Sequence, residues 1–142
     1  FSSAGRQDLR VTRVKAFGAL LDETTGRALS GLRSVFSTRI GAALRFASRG
    51  MDDVSRYRKL VLLVTDGEPS DIDVADPEYL VADARRAVQH MRSQGIDAVC
   101  VALGPEAGQR QSEIFGRKSC VQITDISTLP NTLPAFYLWM TR

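Results

Sequence analysis

Three carboxylates and two hydroxyls fall within seven residues at Thr65-Asp66-Gly67-Glu68-Pro69-Ser70-Asp71, directly behind the apolar run LVLLV at residues 60–64. Oxygen donors of this kind suit a hard divalent cation such as Mg²⁺, which accepts carboxylate and hydroxyl ligands and keeps several waters. A second candidate donor is Thr38, in the segment STRIGAALR at residues 37–45. Asp66 and Thr38, completed by a Ser and an Asp from a third loop, would make a site with one position open, which an external carboxylate could fill. Taken singly, each has a plainer role. A hydroxyl at a helix start caps free N–H groups, and a carboxylate at a strand end caps the loop that follows. Glu68, Ser70 and Asp71 flank the proposed cation and are the residues placed to touch a partner.

Positioning Asp66 requires a strand. Residues 60–64 read as a central parallel strand, because a strand covered by helices on both faces loses its polar alternation. Asp66 then stands at the carboxyl edge, where open α/β sheets bind ligands. The loop at residues 67–76 is the longest polar stretch and lies on that same edge. Gly67 supplies a turn there.

The other elements are legible in order. Residues 1–6 read as a strand running into a turn. Residues 9–17 alternate apolar and polar as an edge strand or hairpin partner does. Asp22 caps a helix reaching about residue 35, with Leu29, Leu32 and Val35 or Phe36 as its apolar stripe, weakened by Gly26 and Gly31. Ser37 and Thr38 place a hydroxyl at the cap of the next helix, whose buried face is Ile40, Ala43, Leu44 and Ala47 and whose stop is Gly50. Pro77 opens a helix through Gln94 on a stripe of Leu80, Ala84, Ala87, Val88 and Met91, and Gly95 ends it. A buried strand at 96–103, a short helix at 106–115, a strand at 119–123 and a closing helix at 126–141, interrupted by Pro130 and Pro134, complete the chain. Strand and helix alternate with crossovers long enough for parallel pairing. The expected fold is α/β, a doubly wound, mostly parallel sheet.

At 142 residues, 44% hydrophobic and 25% charged, the chain is sized for one globular domain. It carries neither an apolar run long enough to span a membrane nor the features of a signal peptide, so a soluble cytoplasmic protein without membrane insertion is expected. Net charge is +3, yet basic residues crowd 6–15 and 45–59 while acidic ones follow residue 65. No Lys/Arg run interleaved with aromatics accompanies the basicity, so nucleic acid is not expected as a partner. Cys100 and Cys120 lie in apolar settings without CxxC spacing and read as buried free thiols in a reducing compartment. Tyr137 and Trp139 read as packing residues, and Arg85-Arg86 as a solvated face.

Three function classes follow. In the first, a bound Mg²⁺ recruits a partner carboxylate without catalysis. In the second, Asp66, Asp71 and Asp73 form a cluster for metal-assisted phosphoryl transfer or hydrolysis. That chemistry needs a nucleophile or a positioned base besides the carboxylates. His90, the only histidine, sits beside Met91 and Arg92 with no nucleophile motif and reads as a surface residue. The third class, a nucleotide binder, lacks a phosphate-cradling glycine motif after any strand. The interaction domain is favoured.

KLVLLVTDGEPSDID, STRIGAALR, DARRAVQHMRSQGIDAVCVAL and the ending LPNTLPAFYLWMTR together resemble the C-terminal von Willebrand factor A domain of the NorD/CbbO group, proteins associated with MoxR-type AAA+ ATPases. The resemblance implies that Thr38 and Asp66 correspond to the threonine and aspartate of a metal-ion-dependent adhesion site. It further implies an adaptor that couples the ATPase to a client enzyme, Rubisco or nitric oxide reductase, with ATP hydrolysis left to the partner. The group's Asp-x-Ser-x-Ser motif is absent from these residues. The expectation is therefore that residues 1–142 are a partial domain, the C-terminal portion of a longer protein, with the first strand missing and the metal site incomplete without it.

Overall fold

The computed structural model describes residues 1–33, 36–51, 58–105 and 107–141. Strands β1 (Ser2–Ser3) and β2 (Leu9–Arg10) form a short antiparallel hairpin turned by Gly5, whose φ of 94° favours glycine. The alternation at residues 9–17 thus yields only two paired residues, and Val11 is exposed. Ser3 also exchanges backbone hydrogen bonds of 2.8 and 2.9 Å with Ser37, which holds the hairpin against the middle of the chain.

Helix α1 (Glu23–Ser30) starts where Asp22 accepts the Thr25 N–H at 2.8 Å. It ends at Gly31, short of the expected residue 35. Leu29 and Leu32 are 52% and 50% exposed and Phe36 is 59% exposed, so the expected stripe is not core; Val35 lies outside the described residues. Helix α2 (Ile40–Arg49) buries Ile40, Ala43 and Leu44 and ends at Gly50 as expected. Its cap position is Arg39, whose side chain makes no capping bond, so the Thr38 hydroxyl does not serve as the expected cap.

Strand β3 (Lys59–Thr65), helix α3 (Pro77–Ser93), strand β4 (Ile96–Leu103), helix α4 (Gly108–Phe115), strand β5 (Cys120–Ile123) and helix α5 (Leu129–Thr141) follow. The three strands are parallel in the order β3-β4-β5, with Lys59 opposite Ile96 and Cys100 opposite Cys120. Right-handed crossovers that step twice in one direction put their helices on one face. Accordingly α3 and α4, together with α2, share a core with that face: Ile40, Leu44, Leu63, Val88, Met91, Ile96, Cys100 and Phe115 are all buried in one cluster. On the opposite face Phe136 of α5 packs with Val99, Val101 and Ile123.

The central strand is β4 rather than β3. Among the described residues β3 pairs on one side only, and of its side chains on the α5 face Leu60 packs against the Phe136 cluster while Leu62 and Val64 are 41% and 47% exposed. Its unbroken apolar run signalled cover on both faces; one face is covered, and the other only at Leu60. Cys100 is buried as expected, while Cys120 on β5 is only partly buried, and both are free thiols. His90, Arg85 and Arg86 are exposed. Tyr137 and Trp139 are each 55% exposed, with Trp139 stacked on Phe136 at 5.9 Å.

The topology sets a protection pattern for amide hydrogen exchange. Amides in the middle of β4, flanked by strands on both sides, are expected to exchange slowest, and alternate β3 amides facing away from β4 to exchange fast. Uniform slow exchange along β3 in this chain would contradict a one-sided edge.

Candidate metal and partner site at the carboxyl edge

The loop after β3 is held by three sets of bonds. The Thr65 hydroxyl donates to the Gly67 carbonyl at 3.2 Å and accepts the Gly67 N–H at 3.4 Å. The side-chain amide of Gln111, itself fully buried on α4, donates to that same carbonyl at 2.9 Å. Farther on, Thr38 and Ser70 exchange backbone bonds of 3.0 and 3.1 Å, and the Ser70 hydroxyl accepts the Thr38 N–H at 3.2 Å. The two segments expected to share a site are therefore joined by their backbones.

Thr38 and Asp66 line one groove of about 720 Å³, with Phe1, Phe36, Val64 and Thr65 among its other walls. Asp66 is exposed and Thr38 half-buried. Among the described residues, neither the Thr38 hydroxyl nor the Asp66 carboxylate has a hydrogen-bond or ion-pair partner. Two unengaged oxygen donors on one groove match the donor chemistry of a hard cation. They fall short of the roughly six ligands that Mg²⁺ takes, so further donors and waters would have to complete the shell.

The flanking residues separate into two groups. Glu68 and Ser70 are exposed at the rim; the Glu68 carboxylate lies 3.8 Å from Arg110, which also pairs with Glu78 at 2.6 Å. Asp71 instead points inward, its side chain wholly covered. It accepts from the Arg39 guanidinium at 2.5 Å, the Ser3 hydroxyl at 3.3 Å and the Ile72 N–H at 2.7 Å. Asp73 accepts from the same guanidinium at 3.1 Å and from the Arg6 N–H at 2.6 Å. Burial pushes the Asp71 carboxyl up, but the Arg39 bond and charge, with the Ile72 N–H, outweigh it and hold the group below the ordinary carboxylate value. Asp71 and Asp73 are thus drawn to Arg39 instead of converging with Asp66. Among the described residues no three His, Cys, Asp or Glu side chains close on one point.

Two positioning residues were not singled out in the sequence. Gln111 shares the buried stripe of α4 with Ile114 and Phe115, and a polar residue on an apolar stripe is the signal that marks it. Arg39 lies 32 positions from Asp71, and no local pattern pairs them.

The family model of the von Willebrand factor type A domain matches residues 13–133. The chain is 34% identical over 137 residues to Protein NorD of Brucella suis biovar 1, covering 96% of this chain and 22% of that protein. It is 41% identical over 117 residues to Protein NorD of Stutzerimonas stutzeri, covering 82% of this chain and 19% of that one. An uncharacterised protein of Pseudomonas aeruginosa is 34% identical over 143 residues, covering 100% of this chain and 23% of its own length. Among solved structures, proximal thread matrix protein 1 from the mussel byssus aligns with a TM-score of 0.58 at 16% identity, over 80% of this chain and 28% of that chain, a likeness of fold. The chain spans about a fifth of the length of the curated relatives it matches.

The Arg39–Asp71 pair yields a pH-dependent test. Asp71 has a depressed carboxyl, so the stability it contributes is fully present above the ordinary carboxylate pKa of about 4 and is lost as pH falls below that toward the depressed value. Asp71→Asn leaves a guanidinium that is 10% exposed without its main partner and should cost on the order of 3 kcal/mol at neutral pH. Urea unfolding across that acid range should show a shallower pH dependence in the variant than in the parent; parallel curves would show that the pair does not carry this stability.

Proposed function

The chain belongs to the von Willebrand factor type A domain family, and from that membership we propose that it is a non-enzymatic, metal-dependent protein-interaction domain of a NorD-like adaptor. The observation that carries the reading is the pair of unengaged donors, Thr38 and Asp66, on one groove at the carboxyl edge of the sheet. In this reading Mg²⁺ is held by those two residues together with donors from outside residues 1–142, and an Asp or Glu of a client protein completes the shell. Glu68 and Ser70, exposed beside the groove, contact the client. Asp71 acts from behind, holding the loop through Arg39. The bound metal would supply a positive charge that neither residue has; the chain's part is to present two oxygens on a loop fixed by Gln111 and Ser70.

The whole protein would couple a MoxR-type AAA+ ATPase to its client, with ATP hydrolysis in the ATPase. Similarity to proteins named NorD favours nitric oxide reductase as the client over Rubisco. Cytoplasmic placement belongs to the same reading; among the described residues no helix is long and apolar enough to cross a membrane. The hydrolytic alternative is disfavoured by the engagement of Asp71 and Asp73 with Arg39.

In the intact protein, Asp66→Ala and Thr38→Val should each weaken client binding at least about tenfold, the scale of losses around metal sites, with the thermal midpoint unchanged because both side chains are unengaged. EDTA should weaken the parent to the level of the variants and Mg²⁺ should restore it. Client activation equal to the parent's in Asp66→Ala, or indifference to EDTA, would remove the metal bridge.

A further inference from the structure

Cys100 and Cys120 stand directly opposite each other on the parallel strands β4 and β5. Paired strands lie about 4.8 Å apart, inside the Cα separation of roughly 4.4–6.8 Å that a disulfide spans. Both side chains face the core shared by α3 and α4, where Cys120 packs against the cluster that contains Cys100. Their settings differ. Cys100 is fully buried, and Cys120, on the outer strand, is partly open to solvent. The neighbouring Cys100 side chain, opposed by partial burial and aided by Ser112, lowers the Cys120 thiol to about 7, while the nearness of Cys120 together with burial pushes Cys100 up. Cys120 is therefore the more readily ionised thiol of the two.

Cys100 has a second polar neighbour. Its sulfur lies 4.0 Å from the side-chain oxygen of Gln111. The amide nitrogen of that fully buried residue is one of two donors to the Gly67 carbonyl, one residue past Asp66, and the nearer of them. A short chain of contacts thus runs from the thiol pair to the loop that carries the candidate metal ligand.

We propose that Cys120 is an oxidisable thiol resolved by Cys100, and that closure of the pair to a disulfide loosens the Gly67 loop through Gln111. The oxidant is a hydroperoxide. The Cys120 thiolate attacks its terminal oxygen; an S–O bond forms, the O–O bond breaks, and the leaving oxygen takes a proton to depart as water or alcohol. The sulfur of Cys100 then attacks that of Cys120. An S–S bond forms, the S–O bond breaks, and hydroxide leaves as water with the proton from Cys100. Two thiols are oxidised by two electrons in all, and one peroxide is reduced. Once Cys100 has lost its proton and turned toward Cys120, the Gln111 side-chain oxygen has lost that neighbour in a fully buried site. The amide re-orients, and the Gly67 carbonyl loses the shorter of its two hydrogen bonds, keeping only the one from the Thr65 hydroxyl. The consequence for metal and client rests on the function proposed above; the disulfide and the loop response do not.

The test treats the intact protein with hydrogen peroxide and reads two things that require neither metal nor client: non-reducing peptide mapping, and amide exchange by mass spectrometry over residues 67–70. The parent should give a Cys100–Cys120 peptide and about tenfold faster exchange in that loop, the change expected for one lost hydrogen bond, and a thiol reductant should reverse both. Cys120→Ser should resist oxidation, and Cys100→Ser should accumulate a sulfenic acid at Cys120 that dimedone captures. Gln111→Leu should still form the disulfide while its loop exchange no longer responds to oxidation. Absence of the linked peptide in the parent overturns the thiol pair, and unchanged loop exchange in the oxidised parent overturns the relay. If both readouts respond while EDTA leaves client binding unaltered, the metal reading fails and this proposal stands.

Discussion

A guanidinium shut away from water has to find carboxylates, and much of the candidate site is arranged by how Arg39 does so. Its side chain is 10% exposed and sits between Thr38 and the first residue of α2. By reaching Asp71 and Asp73 it draws the loop that follows β3 back over the start of that helix, and the Ser3 hydroxyl, which accepts the Arg39 N–H at 3.2 Å, brings in the hairpin. Removing one member would leave a charge in a dry place, a far larger loss than any surface ion pair confers. Three stretches distant in sequence are held by a single cation of the protein's own, and the exposed rim of Asp66, Glu68 and Ser70 is what remains for others to touch.

The sheet beneath supplies rigidity. β4 is buried along nearly its whole length, and α2 and α3 approach so closely that a Cβ on Gly41 would fall 2.2 Å from an Asp83 oxygen and 3.1 Å from the Ala84 nitrogen. A larger residue there would force the helices apart and move Arg39 with them. Gly108 lies under the Gln122 side chain, where α4 packs beside β5. The loop is thus held from two sides, by Arg39 at the start of α2 and by Gln111 on α4.

Much of this was legible in residue order. Pro77 and Gly95 bracket α3, and its five expected core residues are all buried, because helix-end signals and periodicity are local and tertiary contacts seldom override them. The strand at 96–103 was legible for the same reason. What failed was the step from apolar to covered. Leu29 and Leu32 on and after α1, and Leu62 and Val64 on β3, are apolar by pattern yet open to solvent, since a pattern states which face is greasy and not what lies on it. Pairings across long separations were equally invisible: Arg39 with Asp71, and Gln111 with Gly67, 44 positions apart. Thr38 and Asp66 could be nominated from residue type and strand-end position, but that their oxygens are unengaged is a property of three dimensions.

The open flank of β3 bears on how such a chain behaves in a tube. Its backbone groups on that side have no strand partner among the described residues, its apolar Leu62 and Val64 are uncovered, and Lys59 is the only charged residue along it. Proteins usually guard such edges with lysines, prolines or bulges against sideways growth into ribbons. β3 has almost none of these safeguards, so concentrating residues 1–142 by themselves favours stacking of copies along that edge, and their colloidal behaviour is governed by one seven-residue strand.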